Sequence, residues 1–476
     1  MLKRGRNCWR VEQADRAAMI VDAADYYRHA LDAMLKARSQ IFVIGWDFDT
    51  RVKLARTSPR PNVPTTIGPL FSWLTAKRPD LQIHVLAWGE GLLWVPGRGT
   101  TMFRLLRWHW DDRISLKWDS AHPLNASHHQ KILVIDDCVG FCGGIDITAE
   151  RWDTRQHLDH EPFRKRPFTR RPYGPWHDAS MAVDGAAARA LGDLARMRWK
   201  ICTGSELAPA EPQEDCWPAE LEPTFRNIPV AIARTRAEIG DHPEVREIER
   251  LFLDLIKAAR SHVYIETQYF ASRVIAEAVA ERLQEPDGPE FVVVNPVEGM
   301  TWLDEGVMGP ARYELFRSLK ARDKHKRFRI YTPVTEGGAD IYVHAKVMIV
   351  DDLFLRVGSA NANNRSMGLD SECDLLIDAR RRKSARDKIR MIRADLLGEH
   401  LGVAAEEFDE RLQQSGSLIA TIDKLRGKGR TLRLFQPPKP SKLMSKVART
   451  ELLDPEAQAE MFEPRARPGL LARLAR

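Results

Sequence analysis

Two segments of the chain repeat one pattern of reactive residues. SHHQKILVIDD places His129, Lys131 and Asp136 at H-x-K-x4-D spacing, and YVHAKVMIVDD places His344, Lys346 and Asp351 at the same spacing 215 residues later. Four apolar residues follow each lysine and an Asp-Asp pair closes each run, which predicts a buried strand ending in a turn. Residues two apart on a strand share a face. His129 and Lys131 therefore point together, as do His344 and Lys346, whereas Asp136 and Asp351 lie seven residues from their histidines and face the other way. An imidazole that attacks or protonates, beside an ammonium that holds a phosphate oxygen, suits phosphoryl chemistry. The aspartates read as structural or as partners behind the reactive pair.

One H-x-K pair alone is most often a surface feature. Two copies in register point instead to a site assembled from both, and the register extends past the motif. GGID (residues 143–146) falls over GSAN (358–361) at the same offset, with Gly144 opposite Ser359 and Asp146 opposite Asn361. The elements that carry the motifs repeat as well. Ala24, Tyr27, Leu31, Met34 and Leu35 recur at helical spacing before the apolar run Ile41 to Trp46; a second helical pattern, Val245 to Ala259, precedes the β-rich run His262 to Phe270. Between the two sets, residues 205–224 are rich in proline and acid without apolar periodicity, as in an exposed linker. The chain is thus expected to divide into residues 1–204, a linker 205–224, residues 225–402 and an extension 403–476.

Length and composition fit such a plan. The 476 residues, 43% hydrophobic and 29% charged, exclude a disordered or fibrous chain. A net charge of +7 favours anionic partners, whether phosphates, anionic lipid or nucleic acid. Six scattered cysteines without a CxxC pair, and no cluster of histidine partners at zinc spacing, argue against a disulfide framework and against a structural zinc. The basic N-terminal segment lacks the apolar core of a secretory signal, and no run approaches the 18–20 or so apolar residues of a membrane span. A cytoplasmic or peripheral membrane location is expected, with leaderless secretion left open.

The paired motifs with their GG and GS turns resemble the phospholipase D superfamily, and GSANANNRSMGLDSE (358–372) is similar to its second-half signature. GGIDITAERWDTRQH (143–157), PWHDASMAVDG (175–185), YIETQYF (264–270) and IRADLLGEHLG (392–402) resemble segments of the eukaryote-type enzymes, so the resemblance runs from about residue 7 to 402. It implies an α/β fold of two similar α-β-α sandwich halves related by a pseudo-twofold axis, with one active site at their interface and no metal or cofactor. By the family's usual assignment His129 is the nucleophile that forms a phosphohistidine and His344 the general acid, although the two motifs are nearly interchangeable. Lys131, Lys346, Asn361 and Ser359 are expected to hold phosphate oxygens. Glu372, 28 residues after His344, matches a position where the superfamily places an acid that orients a histidine. The same count from His129 lands on His157, so the symmetry fails there, and Asp146 and Asp153 are the candidates to orient His129.

The expected reaction is hydrolysis of the distal phosphodiester of a glycerophospholipid such as phosphatidylcholine or phosphatidylethanolamine, with transphosphatidylation beside it. A cardiolipin-synthase-like transferase and a superfamily nuclease are the rival activities, and a catalytically silent phosphate-binding scaffold is the non-enzymatic one. The expected partner is a phospholipid surface rather than nucleic acid, and two complete motifs in one chain are compatible with a monomer. Two stretches are candidates for that surface: the aromatic segment 91–118 and the basic-aromatic segment FRKRPFTRRPY (163–173). With the similarity starting near residue 7, no lipid-binding module is expected before it.

Overall fold

The computed structural model describes residues 1–436 except 59–60, 90–100, 124–125, 212–214 and 298–301. Its centre is one sheet of sixteen strands. To this sheet the first half supplies β1 (Arg10–Val21), β2 (Gln40–Gly45), β3 (Gln82–Trp88), β4 (Ile114–Asp119), β5 (Ile132–Ile135), β6 (Val139–Gly143) and β8 (Ala179–Asp184). The second half supplies β9 (Phe225–Arg236), β10 (Val245–Arg246), β11 (His262–Glu266), β12 (Glu290–Val294), β13 (Phe328–Val334), β15 (Val347–Val350), β16 (Phe354–Gly358), β17 (Glu372–Asp378) and β18 (Thr431–Leu434). The short β7 (Trp176–His177) and β14 (Tyr342–Val343) form a separate pair.

Strand order shows the duplication directly. Reading outward from the middle, the first half runs β1-β8-β6-β5-β2-β3-β4 and the second runs β9-β17-β16-β15-β11-β12-β13. β1 and β9 pair antiparallel, from Arg10 opposite Ile232 to Ala17 opposite Phe225, so the pseudo-twofold axis passes between them and the sheet is continuous through both halves. Strands β2-β3-β4 and β11-β12-β13 are parallel and joined by helical crossovers; the inner strands are antiparallel, with tight turns joining β5 to β6 and β15 to β16.

Apolar patterning explains the layers. β5 and β15 are buried at every position, as expected of strands covered on both faces. Ile132 and Val134 face a central core shared by the two halves, together with Val347 and Ile349, whereas Leu133 and Ile135 face the first half's outer helices. The central core is completed by two 19-residue helices, Gly185–Thr203 and Lys383–Leu401, each closed by a left-handed glycine, Gly204 and Gly402. Helix Glu247–Ala258 buries Ile248, Leu251, Phe252, Leu255 and Ile256 against the second half's outer core, one stripe at helical spacing.

Two boundaries differ from the sequence reading. The described residues of 205–224 carry no helix or strand, but Cys216, Trp217 and Leu221 pack into the first half's outer core, because short acidic and proline-rich runs still carry apolar anchors between them. The second half does not stop at Gly402. Helices Ala405–Ser415 and Leu418–Leu425 bury Phe408 and Ile422, and β18 pairs with β13 as the sheet's edge strand. The basic run to Lys442 lies outside the described residues from 437 onward.

Candidate active site

The two H-x-K segments enter the interface between the halves just before β5 and β15, and each is stitched to the opposite half. β14 pairs in parallel with β7, and the His344 N–H donates to the His177 carbonyl at 2.7 Å. By the same symmetry His128 bridges Ser371, and the His129 N–H donates to the Ser371 carbonyl at 3.0 Å. Each backbone bridge brings the next residue of the opposite strand against the histidine ring. Glu372 therefore meets His129, with both carboxylate oxygens 3.0 Å from Nδ1, and Asp178 meets His344, with Oδ2 2.7 Å from Nδ1.

Here the sequence reading is corrected. Glu372 orients the histidine of the other half, not that of its own. Asp178 orients His344, and neither Asp146 nor Asp153 touches His129: Asp146 Oδ2 lies 3.3 Å from the Lys131 ammonium, while Asp153 binds His157 and Arg164. Counting along the chain fails because 49 residues separate His129 from Asp178 but 28 separate His344 from Glu372. The signal that was available is the PWHD stretch, whose aspartate directly precedes β8 much as Glu372 opens β17.

With Nδ1 of both rings held by carboxylates, Nε2 is the nitrogen each ring has left for chemistry. Lys131 donates to the His129 carbonyl at 3.1 Å and Lys346 to the His344 carbonyl, so each ammonium is folded back beside its own imidazole. Both lysines, both carboxylates and His344 are buried; the His129 ring keeps 15% of its surface. Loss of water, then the charges of Lys131 and Lys346, hold His129 well below the usual histidine range. The same burial, with Lys346, Arg151 and Lys131, lowers His344. Burial pushes Glu372 up to about 8 and Asp178 up to about 6, and brings Lys346 down to about 7. The pocket disfavours every isolated charge and favours one that is shared, as a bound phosphodiester anion between two ammonium groups would be.

The remaining motif residues sort by position. Asn361 and Asp146 are equivalent: the Asn361 carbonyl oxygen accepts the Gln268 N–H at 3.2 Å, and Asp146 Oδ1 accepts the Trp46 N–H at 2.9 Å. The Asn361 carboxamide thus keeps its NH2 as a donor. The Ser359 hydroxyl is spent on Glu372, as is Ser366 at 2.7 Å, so Ser359 braces the carboxylate and does not face a phosphate. Its counterpart is Gly144 because the shorter Asp178 fills that space; a Cβ there would lie 2.1 Å from Asp178 Oδ1. Asp136 and Asp351 stand at the far ends of β5 and β15, roughly 23 Å of extended chain from their histidines. Asp136 accepts the N–H groups of Arg38, Ser39 and Gln40, and Asp351 those of Arg260, Ser261 and His262, each holding the entry to the neighbouring strand.

Sequence reasoning missed the wall beside His344. Trp176 lies 5.1 Å from the His344 ring and stacks on Tyr342 at 4.7 Å, and the buried Arg151 guanidinium sits 4.3 Å from the Trp176 ring. The next residue, Trp152, lies 5.7 Å from the exposed Phe163, and Phe168 in the same loop is 71% exposed. In the segment 163–173 one of the five cations, Arg164, is buried on Asp153. In the aromatic segment, Trp108 packs in the core whereas Leu106 and Trp110 are exposed; Leu92, Leu93 and Trp94 lie outside the described residues.

Comparison with known proteins agrees with this geometry. Residues 252–392, which hold the second motif, match the family model described as cardiolipin synthase, PLD-like domain. Phospholipase D alpha 1 of Brassica oleracea var. capitata is 25% identical over 521 residues, covering 79% of this chain and 64% of the relative; that of Oryza sativa subsp. japonica is 24% identical, covering 82% and 65%. The chain therefore spans just under two thirds of the length of these relatives. Among solved structures, the fold is similar to that of phosphatidylserine synthase from Haemophilus influenzae Rd KW20, with a TM-score of 0.54 at 15% identity, covering 79% of this chain and 85% of that one. Mirror-image strand order and paired H-x-K segments meeting across the axis thus accompany a likeness to phospholipase D-type proteins in sequence and, with phosphatidylserine synthase, in fold.

Proposed function

We propose that the protein cleaves the distal phosphodiester bond of a glycerophospholipid, releasing the head alcohol and phosphatidic acid through a phosphohistidine. The observation that carries this reading is the crossed pair of dyads: two imidazoles, each held through Nδ1 by a carboxylate of the opposite half, with two lysine ammonium groups between them. His129 Nε2 attacks phosphorus while His344 Nε2–H gives its proton to the departing alcohol oxygen, so a P–N bond forms as the P–O bond breaks. His344 then takes a proton from water, which attacks phosphorus and breaks the P–N bond. Lys131, Lys346 and the Asn361 NH2 hold the non-bridging oxygens as charge builds. A second alcohol in place of water gives phosphatidyl transfer. The family model's cardiolipin synthase description supports that branch.

The lipid surface enters from the side of Trp176. The loop 163–173 offers the exposed Phe163 and Phe168 among Lys165, Arg166, Arg170 and Arg171, a composition suited to an anionic interface. The test is turnover of phosphatidylcholine vesicles with ethanol present, comparing wild type with His129→Ala and His344→Ala. Phosphatidylethanol from wild type alone is the expected result. Product from either variant at the wild-type rate overturns the site, and cleavage of DNA with no lipid turnover decides for the nuclease.

A further inference from the structure

Directly behind Asp178, on the side away from the reacting imidazoles, lies a second cluster that the proposed reaction does not use. Asp22, His157, His177 and Glu399 converge there, all buried, with one donor atom of each within 4.8 Å of the others. The segments they come from are far apart: the turn after β1, the loop after β6, β7, and the last turn of helix Lys383–Leu401.

The nitrogen–oxygen distances within the cluster approach those between neighbouring ligands of one metal ion, with Asp22 turning a different oxygen to each imidazole. His157 Nε2 lies 3.0 Å from Glu399 Oε1 and 3.4 Å from Asp22 Oδ2; His177 Nδ1 lies 3.1 Å from Glu399 Oε1 and 3.4 Å from Asp22 Oδ1. Four ligands at the usual zinc distances of about 2.0–2.1 Å stand at tetrahedral edges of about 3.3 Å. Each imidazole also turns its other nitrogen onto a carboxylate outside the four. His157 Nδ1 is 2.9 Å from Asp153 Oδ2, and His177 Nε2 is 3.0 Å from Glu266 Oε2. That carboxylate–histidine arrangement fixes the tautomer which presents the inner nitrogen to a metal. The outer carboxylates are themselves anchored, Asp153 by Arg164 and the Trp176 N–H, Glu266 by Tyr264 and His400.

Two further observations point to a missing partner inside the four. Asp22 Oδ2 is buried and accepts no hydrogen bond from a described residue. Asp22 also holds φ 67° and ψ 151°, a conformation costly for a residue with a side chain and found where surrounding contacts enforce it. Two arginines also neighbour the cluster: Arg155 Nε binds Glu399 Oε2 at 2.6 Å, and Arg430 Nη2 stands 3.6 Å from Glu399 Oε1.

We propose that Asp22, His157, His177 and Glu399 form a closed tetrahedral site for a structural divalent metal of the zinc class. Two imidazole and two carboxylate donors in a buried, four-coordinate setting suit zinc; calcium and magnesium prefer more ligands, all of them oxygen. The ion ties four segments together and fixes the 177–178 backbone. In that backbone the His177 carbonyl holds the His344 N–H, and the Asp178 N–H is itself held by Asp22 Oδ1 at 3.0 Å. Without the ion, the same positive charge has to come from two imidazolium groups, so metal and protons compete for the site.

The test is elemental analysis of the full chain produced in zinc-supplemented medium, followed by exchange with Co2+ after removal by a strong chelator. Wild type is expected to carry a single zinc per chain, to show the visible bands of tetrahedral Co2+ after exchange, and to melt lower when stripped. Asp153→Asn, which leaves all four ligands in place, is expected to weaken zinc retention roughly 10- to 100-fold. Folded Asp22→Asn and His157→Gln proteins are expected to hold no stoichiometric zinc. Folded wild type that contains no stoichiometric metal and takes up no Co2+ overturns the proposal, whatever the variants do. Zinc retained at wild-type level in folded Asp22→Asn and His157→Gln overturns the ligand assignment. None of these readouts depends on phospholipid turnover, so the metal site and the proposed reaction fail separately.

Discussion

At the scale of single residues, the site rests on one recurrent device: burial removes water from charged groups until only shared charges are stable. With His129 and His344 both held below the usual histidine range, the rising limb of kcat/KM against pH is expected below 6.5, where the nucleophile loses its proton. Binding a phosphodiester anion beside His344 favours its protonated form. The falling limb of kcat is therefore expected at higher pH than that of kcat/KM, and coincident falling limbs in a pH–rate series contradict it. Gly144 offers a sharper geometric test. Gly144→Ser forces Asp178 to move, since a Cβ would lie 2.1 Å from its carboxylate, and a displacement of that size is expected to lower kcat about 100-fold with KM little changed. An unchanged kcat shows that the Asp178 position does not govern His344. The histidines and lysines of the site are legible in the sequence from type and spacing alone. Asp178 is not, because its partner lies across the pseudo-twofold axis and no count within one half reaches it.

At the scale of elements, the motif aspartates explain why each H-x-K run needs the Asp seven residues on. Asp136 and Asp351 each gather three consecutive backbone N–H groups that lead into β2 and β11, and each sits at positive φ, 51° and 52°, in the turn that ends its strand. Removing one leaves buried donors unmet. Asp136→Ala is expected to lower stability by about 2–4 kcal/mol, read from the urea midpoint, while the folded fraction keeps a kcat near wild type. A large loss of kcat in fully folded protein contradicts the structural role. Strands and helices carrying the motifs follow from apolar runs and helical spacing, within a few residues. The burial of Trp217 in a proline-rich run and the docking of β18 depend on partners distant in sequence, and local patterning carries no trace of them.

At the scale of the whole molecule, among the described residues no helix is long and apolar enough to cross a membrane, and the proposed contact with lipid is assigned to an exposed loop. Phe163 and Phe168 are exposed in a loop with four unburied cations. Replacing Phe168 by Ala together with Arg166, Arg170 and Arg171 by Ser is expected to weaken sedimentation with anionic vesicles and raise KM on vesicles at least tenfold, leaving turnover of a soluble short-chain substrate unchanged. Equal loss on both substrates shows that the loop serves the site and not the surface. The proposed mechanism gives the two equivalent dyads unequal tasks. The most direct test is to acid-quench the His344→Asn variant with a phospholipid bearing a good leaving group and locate the covalent adduct by peptide mass spectrometry. A phosphatidyl group on His129 is the expected result; no adduct on either histidine, or an adduct elsewhere in the chain, contradicts the phosphohistidine mechanism.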